Sequence, residues 1–365
     1  MGLAGGRMKM LLPSLLLAAF AAQAAPQPAQ APAVTEADHV LRDIHFASGE
    51  ALPTVRLHVR TLGTLRRDQS GRAANAVLIL HGTTGSGAGF LAPTYAGVLF
   101  GPGQFLDASR YFIILPDNVG HGGSSKPSDG LHAHFPRYAY RDMVELQYRL
   151  LREKLGVDHL RLVMGTSMGG MHTWVWGETH PEFMDALMPL ASLPVAIAGR
   201  NRILRRMALD AIRTDPEWKQ GEYAAPPRGL RTALDILLLM TSAPITWQAQ
   251  YPTGEAADRF YTEWMEKRFA STDANDFIYA FDASRDYDPS PQLERISAPL
   301  TAVNSADDLV NPPELGILER ETRRVPRGKA VVLPATDKTR GHGTHSLPEI
   351  WKAHLAELLD RSEQR

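Results

Sequence analysis

The serine at position 167 is the residue with the clearest potential for covalent chemistry. It lies at the centre of a Gly-x-Ser-x-Gly segment, residues 165–169, which follows the apolar run Leu160–Met164 and opens a helical stretch. A buried strand, this pentapeptide and then a helix form the context in which a serine is presented as a nucleophile. A Cβ at either glycine would collide with neighbouring backbone, and Ser167 itself must adopt a strained conformation. The segment therefore predicts that Ser167 is a nucleophile above a helix N-terminus.

A serine hydroxyl becomes an effective nucleophile only when a base removes its proton. His342 lies between two glycines in a loop after the last apolar strand pattern and before the C-terminal helical pattern. These glycines leave the loop free to reach the serine, so His342 is the predicted base. His345 is interpreted instead as a neighbour that packs on the helix start.

A carboxylate must then fix the histidine tautomer and balance the charge of the imidazolium. In enzymes with this serine turn, the chain order is serine, acid, histidine. Asp307 and Asp308 both follow the apolar run Leu300–Val303, at the carboxyl end of a predicted strand, where ligand chemistry gathers in open parallel sheets. We take Asp307 as the acid, with Asp308 as the alternative.

Two backbone donors are needed for the oxyanion. One is predicted to be the N–H of Met168, directly after the nucleophile, and the other the N–H of Thr83, in the turn after the first central strand. Each donor contributes about 3–4 kcal/mol to transition-state stabilisation.

These residues require a scaffold in which strands and helices alternate. Val55, Leu57 and Val59 alternate as in an antiparallel edge strand, and six later runs suit strands buried on both faces: 77–80, 111–115, 160–164, 186–190, 300–303 and 330–333. The expected fold is α/β, with a mostly parallel sheet flanked by helices, in residues 36–195 and 290–365. Residues 196–289 are helix-rich and are interpreted as an inserted lid, with a separate domain as the alternative.

The N-terminus is typical of an export signal. Arg7 and Lys9 precede an apolar run over residues 10–22, and small residues at 22 and 24 suit cleavage, so residues 1–24 are predicted to be a signal peptide and 25–35 a flexible leader. The mature protein would be secreted or periplasmic, without stable membrane insertion. A membrane anchor is the alternative, although the run is shorter than the ~20 residues that a spanning helix needs.

Composition narrows the chemistry further. The 365 residues carry a formal net charge of −1, which gives no indication of nucleic-acid binding, and contain no cysteine, which excludes a thiol nucleophile and disulfides. No metal or organic cofactor is implied, since a serine triad works unaided. His121, His132 and His134 are candidate metal ligands, but no carboxylate spacing supports a metal site. The loop over residues 117–124 is predicted to have an architectural role. The sequence is compatible with a homodimer and does not define the oligomeric state.

Several segments together resemble the homoserine O-acetyltransferase branch of the α/β-hydrolases. They are residues 135–136, 141–144, 155–157 and 167–171 in the core, and 211–218, 221–223, 229–230, 273–275, 282 and 286–288 in the lid region. The resemblance covers most of the chain from His81 onward. It implies the α/β-hydrolase fold and the same serine, aspartate and histidine roles for Ser167, Asp307 and His342.

One departure from this family affects the expected substrate. The family usually has an arginine that binds the amino-acid carboxylate, and Leu234 stands at the matching position, with Arg231 three residues away. Acyl-CoA is also a cytoplasmic metabolite that an exported enzyme would not normally meet. We therefore expect hydrolysis of an ester or related acyl compound through an acyl-enzyme on Ser167. Acyl transfer is the alternative, and a binding protein that retains the fold is a third hypothesis.

The acyl group itself would need an apolar pocket. The lid tryptophans Trp218, Trp247 and Trp264 and the apolar run at residues 236–240 are candidates to line it, although core packing is the commoner reason for such a run.

Overall fold

The computed structural model describes residues 1–3, 5 and 33–363. The predicted signal peptide and most of the predicted leader lie outside the described residues. No helix among the described residues is both long enough and apolar enough to cross a membrane. Residues 33–363 belong to one compact unit.

Eight strands form a single sheet in the order β1-β2-β4-β3-β5-β6-β7-β8. The first two strand pairings in this order are antiparallel and the remaining five are parallel. The mostly parallel sheet expected from the apolar runs is therefore present. The strands are β1 Val34–His45, β2 Ala51–Leu62, β3 Ala76–Leu80, β4 Phe112–Pro116, β5 Leu162–Thr166, β6 Leu187–Leu190, β7 Leu300–Ser305 and β8 Gly328–Leu333.

Ten helices surround the sheet: α1 Pro93–Leu99, α2 Tyr140–Arg149, α3 Met168–Thr179, α4 Gly199–Arg213, α5 Arg228–Met240, α6 Pro244–Gln250, α7 Gly254–Ser271, α8 Ala274–Asp282, α9 Ile317–Thr322 and α10 Pro348–Glu363. Short helical turns lie between them at Gly87–Leu91, Pro127–Asp129, His132–His134, Leu150–Lys154, Pro216–Gly221, Ser290–Arg295, Pro313–Leu315 and Gly343–Ser346. Both sets are counted over the described residues only.

The edge-strand prediction was wrong by one strand. Val55, Leu57 and Val59 lie in β2, which pairs with β1 on one side and β4 on the other. The edge is β1, which begins at Val34, inside the last residues assigned to the leader. Charged residues occupy most of the outward positions of β1, so its sequence lacks the apolar alternation by which strands are recognised.

The sheet is covered on both faces because alternate residues of each central strand point to opposite sides. In β3, Leu78 and Leu80 pack into a core with α2 and α3. Val77 and Ile79 pack into a second core with α1 and α10. All four residues are buried completely, which explains why the strand reads as a continuous apolar run.

The segment between β6 and β7 contains five helices, α4–α8, and has a hydrophobic core of its own that includes Ile212, Leu230, Met265 and Phe277. Polar side chains fix its turns. The carboxylate of Asp215 accepts hydrogen bonds from the backbone N–H groups of Glu217 and Gly229, Tyr223 donates to Asp273 and Trp218 donates to Asn275. This is the region interpreted as the lid; its exact limits stay a prediction.

Candidate active site

Ser167 is positioned by the sharp turn between β5 and α3. Its backbone has φ 55° and ψ −113°, a strained combination for a residue with a side chain. Only glycine fits at positions 165 and 169, because a larger residue would collide with neighbouring backbone. A Cβ on Gly165 would lie 2.2 Å from the carbonyl oxygen of Gly169, and one on Gly169 would lie 2.0 Å from that of Leu80. The turn therefore lifts the Ser167 hydroxyl above the carboxyl end of the sheet.

His342 reaches this hydroxyl from the loop before α10. Its Nε2 lies 2.9 Å from Ser167 Oγ, across 175 residues of sequence. The preceding residue, Gly341, has φ 56°, a left-handed conformation that glycine adopts without strain. The structure thus brings together the two side chains that the sequence assigned as nucleophile and base.

Asp308 completes the arrangement. Its two carboxylate oxygens lie 2.9 and 3.1 Å from His342 Nδ1, so Nδ1 carries the proton and Nε2 is left to accept from the serine. The carboxylate also accepts from the backbone N–H groups of Val310 and Asn311. Burial alone would raise the pKa of Asp308. The electrostatic interaction and hydrogen bond with His342, together with hydrogen bonds from the Val310 N–H and the Asn311 side chain, outweigh it, and the net effect lowers the pKa.

The assignment of Asp307 as the acid is corrected by this geometry. Its side chain accepts hydrogen bonds from the hydroxyls of Ser305 and Thr339 and, at 2.9 Å, from the backbone N–H of Gly341. None of these donors is the imidazole of His342, whose Nδ1 contacts Asp308 instead. Asp307 therefore holds the loop that carries His342, and the neighbouring residue, which had been the alternative, contacts the ring.

The turn after β3 faces the serine, as an oxyanion site requires. A Cβ on Gly82 would lie 3.4 Å from the Cβ of Ser167 and 3.9 Å from its Oγ, and Thr83 lines the same cavity as Ser167 and His342. Met168 is the first residue of α3, with Ser167 at the N-cap. Both residues are thus near the nucleophile, and the oxyanion role of the Thr83 and Met168 N–H groups stays a prediction.

Two buried histidines shape that turn. His81 Nδ1 lies 2.9 Å from the carbonyl oxygen of Gly82, while its Nε2 accepts from the backbone N–H of Asn118. His121 Nε2 lies 2.6 Å from the carbonyl oxygen of Thr83. Burial, followed by the repulsion of His121, lowers the pKa of His81 to about 3, and burial also lowers the pKa of His121. Burial therefore favours the neutral form of both rings, and their hydrogen bonds support the turn.

No group of three or more metal-binding side chains occurs among the described residues, so His121, His132 and His134 do not form a metal cluster there. The loop after β4 has the architectural role expected for it. The buried carboxylate of Asp117 accepts hydrogen bonds from Arg60, from the N–H of Gly87 and from the N–H of Gly123.

A cavity of about 500 Å³ opens over Ser167 and His342. Leu237 and Met240 of α5 contribute to its wall, as do Phe90 and Phe281. The tryptophans expected in an acyl pocket are not part of this lining. Trp218 and Trp264 pack on the lid core and Trp247 packs edge-on against Phe260. The apolar run of α5 thus contributes to the cavity wall as expected and the three tryptophans do not, while the binding of an acyl group there stays a prediction.

The cavity also contains a residue that sequence reasoning missed. Arg205 of α4 lines it and is only 4% exposed. At the position where the resembled family has its carboxylate-binding arginine, Leu234 is buried in the lid core. Arg231 is exposed and stacks on Phe269, so neither residue reaches the cavity.

A serine nucleophile on a strand-to-helix turn, with its base and acid on later loops of a mostly parallel sheet, defines the α/β-hydrolase class. A family model described as the alpha/beta hydrolase fold matches residues 75–337. Because this match covers more than half of the chain, the protein belongs to the α/β-hydrolase family.

Within that family it belongs to the homoserine O-acetyltransferase-like branch. It is 31% identical to the homoserine O-acetyltransferase of Clavibacter michiganensis subsp. michiganensis, over 87% of this chain and 90% of that one. A match to the enzyme of the same name from Thermobifida fusca is 39% identical but covers 49% of this chain and only half of the relative. Among solved structures, that of the acetyl esterase MekB superposes with a TM-score of 0.76 at 24% identity, covering 89% of this chain and 97% of that one. The likeness to MekB concerns the fold.

Proposed function

We propose that this protein is an exported serine hydrolase that cleaves a small acyl ester through an acyl-enzyme on Ser167. The observation that carries the proposal is the continuous hydrogen-bonded line from Ser167 Oγ through His342 to Asp308. Acyl-group chemistry is common to the named relatives, which include acetyltransferases and an acetyl esterase. The acyl acceptor, water or a second substrate, is the point that distinguishes the candidate activities.

In the proposed reaction, His342 Nε2 removes the proton from Ser167 as Oγ attacks the acyl carbonyl carbon. The N–H groups of Thr83 and Met168 donate to the oxygen on which negative charge develops. Asp308 stabilises the imidazolium, which then protonates the leaving alcohol. His342 next deprotonates a water molecule that attacks the acyl-enzyme, and collapse of the second intermediate releases the carboxylic acid and restores Ser167.

A fluorophosphonate probe tests the nucleophile. We expect labelling at Ser167 in the folded protein and none in the Ser167→Ala variant, whose kcat for ester hydrolysis should fall by up to about 10⁶-fold. Ser346, which lies on the rim of the same cavity, provides a matched control, because Ser346→Ala should retain labelling and turnover. Absence of labelling in folded wild-type protein would reject the mechanism.

Acyl transfer is the second candidate, favoured by the homoserine O-acetyltransferase relatives. The ratio of products distinguishes hydrolysis from acyl transfer. If an acetyl ester releases free acid at the same rate with and without homoserine, the activity is hydrolysis. Acetylated product that accumulates only when homoserine is present would establish transfer as the activity. A binding protein without catalysis would turn over neither substrate, and its biological effect would survive Ser167→Ala.

Export is part of the proposal and is supported by Arg7, Lys9 and the apolar run at residues 10–22. The test is to produce the full chain in a Gram-negative host and to determine the N-terminus of the periplasmic or secreted protein. We expect cleavage after Ala24. Retention in the cytoplasm with residues 1–24 intact would refute export, and an uncleaved protein in the membrane fraction would favour the anchor.

A further inference from the structure

The cavity above Ser167 has a positively charged wall. The described residues that line it include two arginines, Arg205 and Arg268, and no aspartate or glutamate. Arg205 is almost fully buried and Arg268 is partly exposed near the ring of Trp264. A cavity with buried positive charge and no acidic lining favours an anionic ligand.

The Arg205 guanidinium has no anionic partner among the residues that the structure describes. Nε donates to Asn201 at 2.9 Å, Nη1 donates to Ser284 at 3.1 Å, and the planar group lies 5.3 Å from the centroid of the Phe281 ring. Two other arginines of α4 differ in this respect, since Arg206 pairs with Asp210 and Arg213 with Asp282. No described carboxylate forms an ion pair with Arg205, and its Nη2 makes no hydrogen bond to a described residue.

Arg205 is also linked to the oxyanion turn. The buried hydroxyl of Tyr140 has no hydrogen bond of ordinary geometry within the described chain. Burial raises the pKa of Tyr140, and interactions with Arg205, Ser284 and Thr83 oppose that rise. The phenol is therefore close to both the guanidinium and Thr83, and Arg205, Thr83 and Ser167 line the same cavity.

An unpaired buried charge is costly, and the cost is relieved when a ligand supplies the opposite charge. Arg205 Nη2 has no hydrogen bond to a described residue, and a guanidinium N–H of this kind can donate to a carboxylate oxygen. We infer that Arg205 is a substrate-binding residue for a carboxylate, so that the preferred ester carries a free carboxyl group. This inference rests on the proposed function, because it places the carboxylate in the cavity where Ser167 attacks the ester.

Two pairs of esters test the inference, and in each pair a carboxylate ester is compared with a neutral ester of similar size. One pair places the carboxylate on the acyl group and the other places it on the alcohol. The acyl pair is mono-4-nitrophenyl glutarate against 4-nitrophenyl pentanoate, and the alcohol pair is an O-acetyl hydroxy acid against its methyl ester. We expect kcat/KM to favour the carboxylate member of at least one pair by roughly 10-fold to 100-fold, the range for hydrogen bonds to a charged group. The favoured pair identifies the side of the ester that Arg205 binds.

Arg205→Met should bring the ratio of kcat/KM for the carboxylate ester to kcat/KM for the neutral ester close to one, while the neutral ester is still hydrolysed. Arg205→Lys should retain part of the preference. The matched control is Arg206→Met, the adjacent, exposed arginine of the same helix, which should leave the ratio unchanged. Should Arg205→Met fail to fold, the wild-type ratios, the Arg205→Lys ratio and competitive inhibition by glutarate still test the inference.

Equal turnover of both members of both pairs would overturn it. So would a preference that survives Arg205→Met or disappears only in Arg268→Met. Turnover of the neutral esters that depends on Ser167 distinguishes failure of this inference from failure of the proposed function. If only the inference fails, the neutral esters are still hydrolysed and the preference for the carboxylate is missing. If the proposed function fails, no ester is hydrolysed.

Discussion

Asp308 and His342 form the contact on which the proposed chemistry depends, with both carboxylate oxygens within 3.1 Å of the imidazole Nδ1. The adjacent carboxylate of Asp307 instead binds the backbone N–H of Gly341. Two consecutive aspartates thus have different functions: one contacts the catalytic ring, and the other fixes the loop that carries it.

The two aspartates should be distinguishable by a matched pair of substitutions. We expect Asp308→Asn to lower kcat by about 10⁴-fold, the loss seen when an asparagine favours the wrong histidine tautomer. Asp307→Asn should cost far less, since it weakens loop contacts and leaves the Asp308–His342 bond in place. Steady-state kinetics with one ester substrate would measure both effects, and a larger loss in Asp307→Asn would contradict the assignment.

The sequence identifies the sheet and most of the site residues because these features depend on the order of neighbouring residues in the chain. Buried parallel strands produce continuous apolar runs, and the Gly-x-Ser-x-Gly turn needs glycine at two fixed positions for steric reasons. The choice between Asp307 and Asp308 is different. Both follow β7, and the outcome depends on distant partners, Gly341 and Thr339 for one and His342 for the other.

Arg205 shows a second limit of sequence reasoning. It lies among Arg200, Arg202 and Arg206 on a helix with a polar face, a pattern that is typical of a solvated surface. Only the contacts with Ser284 and Phe281, about 80 residues later in the chain, reveal that this arginine is buried. Sequence periodicity contains no information about such contacts.

The strained serine turn should tolerate no added methyl group. In Gly169→Ala the new Cβ would lie 2.0 Å from the carbonyl oxygen of Leu80, and backbone cannot yield as a flexible side chain can. We expect a loss of about 3 kcal/mol or more in the free energy of unfolding, the upper part of the range for overpacked sites, together with loss of activity. Denaturant unfolding would measure the change.

Gly254→Ala is the control for this substitution. Gly254 begins α7 and an added Cβ there has no neighbour within 4 Å. Stability should stay within about 1 kcal/mol of wild type, with a small gain favoured by helix propensity. Equal effects of the two substitutions would show that the turn is less constrained than its contacts indicate.

The wall formed by α5 should set the accepted acyl length. Leu237 lines the cavity and Leu239, two residues later, is 57% exposed. Leu237→Ala should shift the preference for 4-nitrophenyl esters toward longer chains, because each additional buried methylene contributes about 0.8 kcal/mol. Leu239→Ala should leave the ratio of kcat/KM values unchanged, and a shift in that variant alone would place the acyl group elsewhere.

Buried Glu178 should make stability depend on pH. Burial raises its pKa to about 7 from 4.5, despite the opposing charge of Arg141, to which it is hydrogen bonded. The folded protein therefore binds this proton more tightly than the unfolded chain does. The resulting stabilisation is complete below about pH 4.5 and is lost as the pH rises through 7.

Glu178→Gln removes this titration while conserving side-chain shape. Between pH 5 and pH 8, the wild-type free energy of unfolding should fall more than that of the variant, by on the order of 2 kcal/mol. Glu153→Gln is the control: Glu153 is exposed and its hydrogen bond to Arg149 lowers its pKa, so it is ionised throughout this range and its removal should not flatten the profile. Parallel pH profiles for wild type and Glu178→Gln in urea unfolding would mean that Glu178 stays ionised in the folded protein.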